Sequence, residues 1–161
     1  MFKKLFKRKE ETIFAPLSGR VIDIEQVPDP TFSQKLVGEG VAFEPAEGMV
    51  VSPVNGEIIQ LFHTKHAIGI RSETGLEILI HIGLETVMLN GEGFTAHVQV
   101  GERVKVGDRL ITFDLDLIKE KAASSITPVV ITNYDMVQSM EKLSVSEAKA
   151  GMDLLMRITT K

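Results

Sequence analysis

Ala15-Pro16-Leu17-Ser18-Gly19-Arg20-Val21-Ile22 and Ser52-Pro53-Val54-Asn55-Gly56-Glu57-Ile58-Ile59 are two passes over one pattern: a proline, a polar residue and glycine that turn the chain, then an apolar run. Internal repetition of this kind points to an architecture of related halves. A second echo supports it, since Gly38-Glu39-Gly40 introduces Val41-Ala42-Phe43 much as Gly91-Glu92-Gly93 introduces Phe94-Thr95-Ala96. Working outward from these motifs, short runs of Val, Ile, Phe and Thr are interrupted about every eight to twelve residues by Gly, Pro, Asn or Asp. That rhythm predicts an all-β protein. The expected strands are 19–24, 41–43, 49–51, 56–62, 67–72, 77–82, 95–98, 109–114 and 129–132. Helical turns are expected only over 115–123 and 145–148. Val104-Lys105-Val106-Gly107-Asp108 reads as a bend feeding the strand from Leu110. The expected fold is an antiparallel β-sandwich with an internal pseudo-repeat and few short helices.

The chain has 161 residues, enough for a single core, so residues 13–161 are read as one domain. A hydrophobic fraction of 43% with 25% charged residues is that of an ordinary globular protein, and a net charge of −4 argues against general nucleic-acid binding. With no cysteine, disulfides, thiolate metal sites and cysteine nucleophiles are excluded; this fits a reducing, cytoplasmic setting.

Residues 1–12 read as a flexible basic segment, too polar for a signal peptide, and no apolar run is long enough to span a membrane. Phe2, Leu5 and Phe6 among Lys3, Lys4, Lys7, Arg8 and Lys9 leave two readings open. One is a solvated, frayed terminus; the other is a weak contact of residues 2–9 with an anionic membrane surface.

Histidine titrates near neutrality, so the four histidines are the first candidates for chemistry. In Glu77-Ile78-Leu79-Ile80-His81-Ile82 the isoleucines share one strand face, while Leu79 and His81 share the other. Both faces are apolar, so His81 should be desolvated and neutral, with one ring nitrogen free as a nucleophile. A hydrogen-bonded structural histidine is the competing outcome. If 67–72 and 77–82 form a hairpin around Glu73-Thr74-Gly75, its open ends bring His66 beside His81. Such a pair can transfer a phosphoryl group, one ring attacking while the other stabilises, or hold zinc. Thr64, two residues from His66, can orient its ring. His63 reads as a surface residue, and His97, in an alternating stretch with no other candidate group beside it, as a structural one.

These residues carry a resemblance. Ala15-Pro16-Leu17-Ser18-Gly19, Val27-Pro28-Asp29, Val37-Gly38-Glu39-Gly40, Thr64-Lys65-His66-Ala67, Ile80-His81-Ile82-Gly83-Leu84-Glu85-Thr86-Val87, Gly91-Glu92-Gly93-Phe94, Val104-Lys105-Val106-Gly107-Asp108 and Thr127-Pro128-Val129-Val130 occur in order. The chain resembles, from Phe14 onward, the glucose-type enzyme IIA of the phosphoenolpyruvate-dependent sugar phosphotransferase system.

The resemblance implies that His81 is phosphorylated, that His66 stabilises the phosphoryl group and that Thr64 belongs to their hydrogen-bond network. It implies HPr as donor and the IIB domain of a sugar permease as acceptor, with regulated enzymes or transporters as further partners. It also implies a docking face of Phe32, Val37, Phe62 and Val87 with Asp29 and Glu85 at its edge. No cofactor is required; zinc at His66 and His81 would need a partner's carboxylate. Glu85 stands where the family usually has Asp, and Ile82 where it more often has Phe. Starting at Met1, the chain reads as the free-standing form. A lysostaphin-type zinc peptidase is disfavoured by the lack of His-x-His, and a biotinyl or lipoyl carrier by the position of Lys105 within an alternating strand.

Overall fold

The computed structural model describes residues 9–161. In chain order these form β1 (Glu10–Phe14), β2 (Gly19–Asp23), α1 (Pro30–Ser33), β3 (Glu39–Pro45), β4 (Met49–Val51), β5 (Gly56–Leu61), β6 (Ala67–Ser72), β7 (Glu77–His81), β8 (Phe94–Ala96), β9 (Arg103–Val104), β10 (Arg109–Phe113), α2 (Leu115–Lys121), β11 (Thr127–Ile131), β12 (Val137–Lys142), β13 (Glu147–Ala148) and β14 (Leu154–Thr160). All strand pairs are antiparallel. An eight-stranded sheet runs β13-β2-β3-β11-β7-β6-β5-β9, and the three-stranded sheets β1-β14-β12 and β4-β10-β8 complete the sandwich. Closely opposed sheets bury the alternating apolar residues of each strand: Phe43, Ile58, Ile68, Ile70, Ile78, Ile80, Leu110, Ile111 and Ile158 are fully or almost fully buried in one core.

The first sequence repeat is structural. Read from either end of the large sheet, β2 lies between a two-residue edge strand and β3, and β5 lies between a two-residue edge strand and β6. The glycines that open these strands do the same work. A Cβ on Gly19 would lie 2.2 Å from the Glu44 carbonyl oxygen, and one on Gly56 would lie 2.1 Å from that of Arg71. The second echo is not structural, because β3 belongs to the large sheet and β8 to a small one.

Other expectations are corrected. Glu10, Glu11 and Thr12 are not flexible but paired with Thr159, Ile158 and Arg157 in β14. The expected helical turn at 145–148 instead supplies β13, whose Glu147 and Ala148 pair with Arg20 and Gly19. The strand expected over 56–62 ends at Leu61, where a turn begins. The membrane-contact reading of residues 2–9 lies, except for Lys9, outside the described residues. Among the described residues no helix is long and apolar enough to cross a membrane.

A second apolar cluster positions the site. Ile22, Ile24, Val27, Phe32, Ala42, Leu84 and Val130 pack on the outer face of the large sheet, with Val37 and Leu79 against them. The sheet is therefore covered on both faces beneath α1. That helix starts on Pro30, whose missing N–H costs nothing there, and is capped by Asp29, whose carboxylate accepts the Thr31 N–H at 2.9 Å.

Candidate functional site

The expected hairpin forms with Ala67 opposite His81, Ile68 opposite Ile80 and Arg71 opposite Glu77. His81 ends β7 on the same face as Leu79, while Ile78 and Ile80 point into the main core. His66 stands at the open end of that hairpin, its carbonyl accepting the Ile82 N–H at 2.7 Å. Residues 62–66 make the tight turn between β5 and β6, closed by the Lys65 N–H donating to the Phe62 carbonyl at 2.7 Å, with Lys65 at φ 60°. Thr64 and His66 meet because this turn curls, not because strand alternation puts them on one face. The turn also exposes His63 while burying His66 to 3% exposure.

The two imidazoles lie with ring centroids 5.0 Å apart and planes at 82°. Phe32 packs on His81 at 5.2 Å and Phe62 edges onto His66 at 5.3 Å, so each ring has an aromatic wall. Each also has one nitrogen occupied. His81 Nδ1 lies 2.8 Å from the Gly83 carbonyl oxygen. A carbonyl only accepts, so a neutral His81 must carry its proton on Nδ1 and its lone pair on Nε2. His66 Nδ1 is hydrogen-bonded to the Thr64 hydroxyl. Neither Nε2 has a hydrogen-bond partner among the described residues, and no buried side-chain nitrogen or oxygen there lacks one. Both Nε2 atoms therefore reach the surface.

Electrostatics keep both rings neutral. Desolvation, with a smaller contribution from the charge of His81, pushes the His66 pKa down to about 4. Desolvation also lowers the His81 pKa, opposed by its bond to the Gly83 carbonyl and by the nearby Asp29 carboxylate. At neutral pH the site holds two uncharged imidazoles, and that of His81 turns an unpaired Nε2 lone pair to solvent.

Around His81, the residues Asp29, Phe32, Val37, Phe62, Glu85 and Val87 line one open depression, completed by Thr31 and Leu79. The sequence reading missed those last two, although the alternation of β7 already placed Leu79 beside His81. Phe32 is only 5% exposed, so it serves chiefly as a seat for the His81 ring, whereas Val87 is 50% exposed. Glu85 is exposed and held at φ 60°. His97 lies elsewhere on the surface, its Nε2 paired with the Thr112 hydroxyl at 2.6 Å. No third His, Asp or Glu joins His66 and His81 in a metal-holding group among the described residues.

Known proteins share this arrangement of strands and sequence. Residues 11–137 match the family described as phosphoenolpyruvate-dependent sugar phosphotransferase system, EIIA 1. The chain is 59% identical to the PTS system glucose-specific EIIA component of Bacillus cereus, with 100% of both chains covered. It is 55% identical to the protein of the same name from Halalkalibacterium halodurans, with 98% of each covered. The glucose permease IIA from Mycoplasma capricolum superimposes with a TM-score of 0.88 at 36% identity, over 94% of this chain and 97% of that one. In sequence and in fold alike, the chain belongs to the EIIA 1 family of the phosphoenolpyruvate-dependent sugar phosphotransferase system.

Proposed function

We propose that the chain is a cytoplasmic phosphocarrier that takes a phosphoryl group from phosphorylated HPr onto Nε2 of His81 and passes it to a cysteine on the IIB domain of a sugar permease, with glucose the sugar its relatives' names suggest. The observation that carries this reading is the bond from His81 Nδ1 to the Gly83 carbonyl, which leaves a lone pair on the outward nitrogen.

In the accepting step that lone pair attacks phosphorus, the new N–P bond forms, and the P–N bond to the donor histidine breaks with its electron pair returning to the donor ring. Such transfer asks mainly for alignment and for stabilised equatorial oxygens. With the Thr64 hydroxyl donating to its Nδ1, His66 carries its proton on Nε2 and presents it to those oxygens. Onward transfer reverses the roles, His81 leaving as the thiolate of the IIB domain takes the phosphoryl group.

The open depression around His81 is the docking face in this reading, its apolar floor suited to transient partners and its acidic rim at Asp29 and Glu85 to steering them. Phosphorylation adds about 1.5 to 2 negative charges to that floor, so partners that prefer the bare face are released by it. A native gel of such a partner with both forms tests the switch; equal binding removes it. Zinc would find His66 and His81 as two nitrogen ligands and would need a partner's carboxylate as a third, tying the two proteins together.

Incubation with radiolabelled phosphoenolpyruvate, enzyme I and HPr should place an acid-labile label on the chain, and His81→Ala should abolish it. Labelling of the His81→Ala protein would overturn the assignment.

A further inference from the structure

The Gly83 carbonyl that sets the tautomer of His81 does not hold itself in place. Gly83 sits at φ 71°, and a Cβ there would lie 2.6 Å from Thr86 Cγ2 and 2.9 Å from the Ser124 carbonyl oxygen. Only glycine fits. Glycine, however, accepts either sign of φ at little cost, so the peptide plane before it can turn over unless something clamps it.

Two threonines do. The Thr86 hydroxyl donates to the Ile82 carbonyl at 2.6 Å. The Gly83 N–H, the other pole of the same peptide unit, donates to the Thr127 hydroxyl at 3.3 Å, and that hydroxyl donates in turn to the Ser125 carbonyl at 3.0 Å. Both threonines are 0% exposed. Neither touches the docking depression. The next peptide unit is gripped as well: the Leu84 N–H donates to the Ser124 carbonyl at 2.9 Å while the Gly83 oxygen receives His81 Nδ1 at 2.8 Å. A peptide whose N–H is engaged is a better acceptor at its oxygen.

We infer that Thr86 and Thr127 are positioning residues for phosphoryl transfer: their hydroxyls clamp the Ile82–Gly83 peptide, and so aim the carbonyl that keeps the proton of His81 on Nδ1 and the lone pair on Nε2. Losing either clamp loosens the peptide before Gly83 and leaves the Gly83 carbonyl aimed chiefly by the Leu84–Ser124 bond, so a neutral His81 shares its proton between the two nitrogens more evenly. In the fraction protonated on Nε2 there is no outward nucleophile. The partners that fix the tautomer of a metal-ligating histidine matter about 10-fold to 100-fold in metal affinity or activity, and an effect of that order is expected at His81. The inference rests on His81 being the phosphoryl acceptor.

The test compares Thr86→Val and Thr127→Val, which keep the shape and lose the hydroxyl, with Thr86→Ser and Thr127→Ser, which keep it. Each is made in the whole chain and checked for folding by thermal melting. Nitrogen-15 resonances of the imidazoles report where the His81 proton sits, independently of any transfer. Expected are a mixed tautomer and an acceptance rate at least 10-fold lower in the valine variants, with the serine variants within about twofold of the parent. A folded valine variant with His81 still protonated on Nδ1, or a rate loss equal in the serine variants, would overturn the clamp. If a valine variant does not fold, cysteine at the same position, a weak donor and acceptor, is read by the same two criteria. Failure of the parent chain to be labelled on His81 would overturn the phosphocarrier reading instead, and leaves the tautomer measurement standing as the test of the clamp.

Discussion

The β6–β7 hairpin has polar side chains at both ends, and the two ends use them in opposite ways. At the turn, the Ser72 hydroxyl pairs with that of Thr74 at 3.0 Å and accepts the Leu76 N–H at 3.1 Å, while Thr74 donates to Glu11 at 2.8 Å. Asn133 closes the same turn, accepting the Glu77 N–H at 2.8 Å and donating to the Gly75 carbonyl at 2.9 Å. All of these bonds are internal. At the open end each imidazole spends one nitrogen on the protein and turns the other outward. Polar groups that are fully paired stabilise; a polar group held rigidly by half of its capacity keeps the other half for chemistry.

That contrast breaks most severely at His81. His81→Ala should lose phosphoryl acceptance entirely in the labelled phosphoenolpyruvate assay while its melting temperature stays near that of the parent.

Acid should expose the same asymmetry in stability. The folded-state pKa of His66, about 4, lies below its ordinary value of 6.5, so the unfolded chain takes up the proton first. The stability held by neutral His66 is thus complete above pH 6.5 and is lost as pH falls from there to about 4, a loss of about 3 kcal/mol. Urea unfolding across that range should show the slope, and His66→Gln should flatten it. His81, lowered in the same direction, keeps a slope of its own in that variant.

His66→Gln, whose flexible amide is not fixed where the imidazole N–H was, should also keep acceptance from HPr while slowing onward transfer about 100-fold, the cost of misplacing one donor to developing charge. Single-turnover transfer to a IIB domain separates the two steps.

At the turn end the effect should be smaller and of the other kind. Asn133→Ala leaves the Gly75 carbonyl and the Glu77 N–H without their partner and should cost about 2 kcal/mol in urea unfolding, with the acceptance rate unchanged. A transfer defect there would erase the distinction between the two ends. Smallest of all, Glu85→Asp shortens an exposed rim carboxylate by one methylene and should alter partner association by less than about threefold, in a salt-dependent way.

Legibility in the sequence follows the same division. The central strands of the large sheet were readable because one face is buried and the other largely covered, so 67–72 and 77–82 are apolar runs bounded by turn residues. The hairpin register, and with it the approach of His66 to His81, followed from those bounds and the turn at Glu73-Thr74-Gly75. The unread strands are the two-residue edges β13 and β9 of the large sheet and all three strands of the sheet β1-β14-β12. β1 opens Glu-Glu-Thr and β12 is largely exposed, so neither has the apolar run that marks a strand from sequence; their pairing with β14 is a tertiary fact.

At the site the approach of His66 to His81 could be read from the hairpin, but the way Thr64 reaches the His66 ring could not. The curl of 62–66 depends on Lys65 at φ 60°, which nothing in the lysine announces. The Gly83 clamp depends on Thr127, 44 residues further along the chain.

The pairing of β1 with β14 also decides how the molecule answers a pull. Glu10 faces Thr159 and Phe14 faces Leu154, so the first and last strands enter their ladder from the same end. Tension applied through Lys9 and Lys161 falls on one rung at a time, beginning with the bond from the Thr160 N–H to the Lys9 carbonyl at 2.8 Å, rather than on the whole ladder in shear. Stretched by its ends, the protein should peel like a zipper at low force, while the histidine hairpin, which belongs to the eight-stranded sheet and not to the β1-β14-β12 sheet that carries both ends, stays intact until the peeled strands have gone.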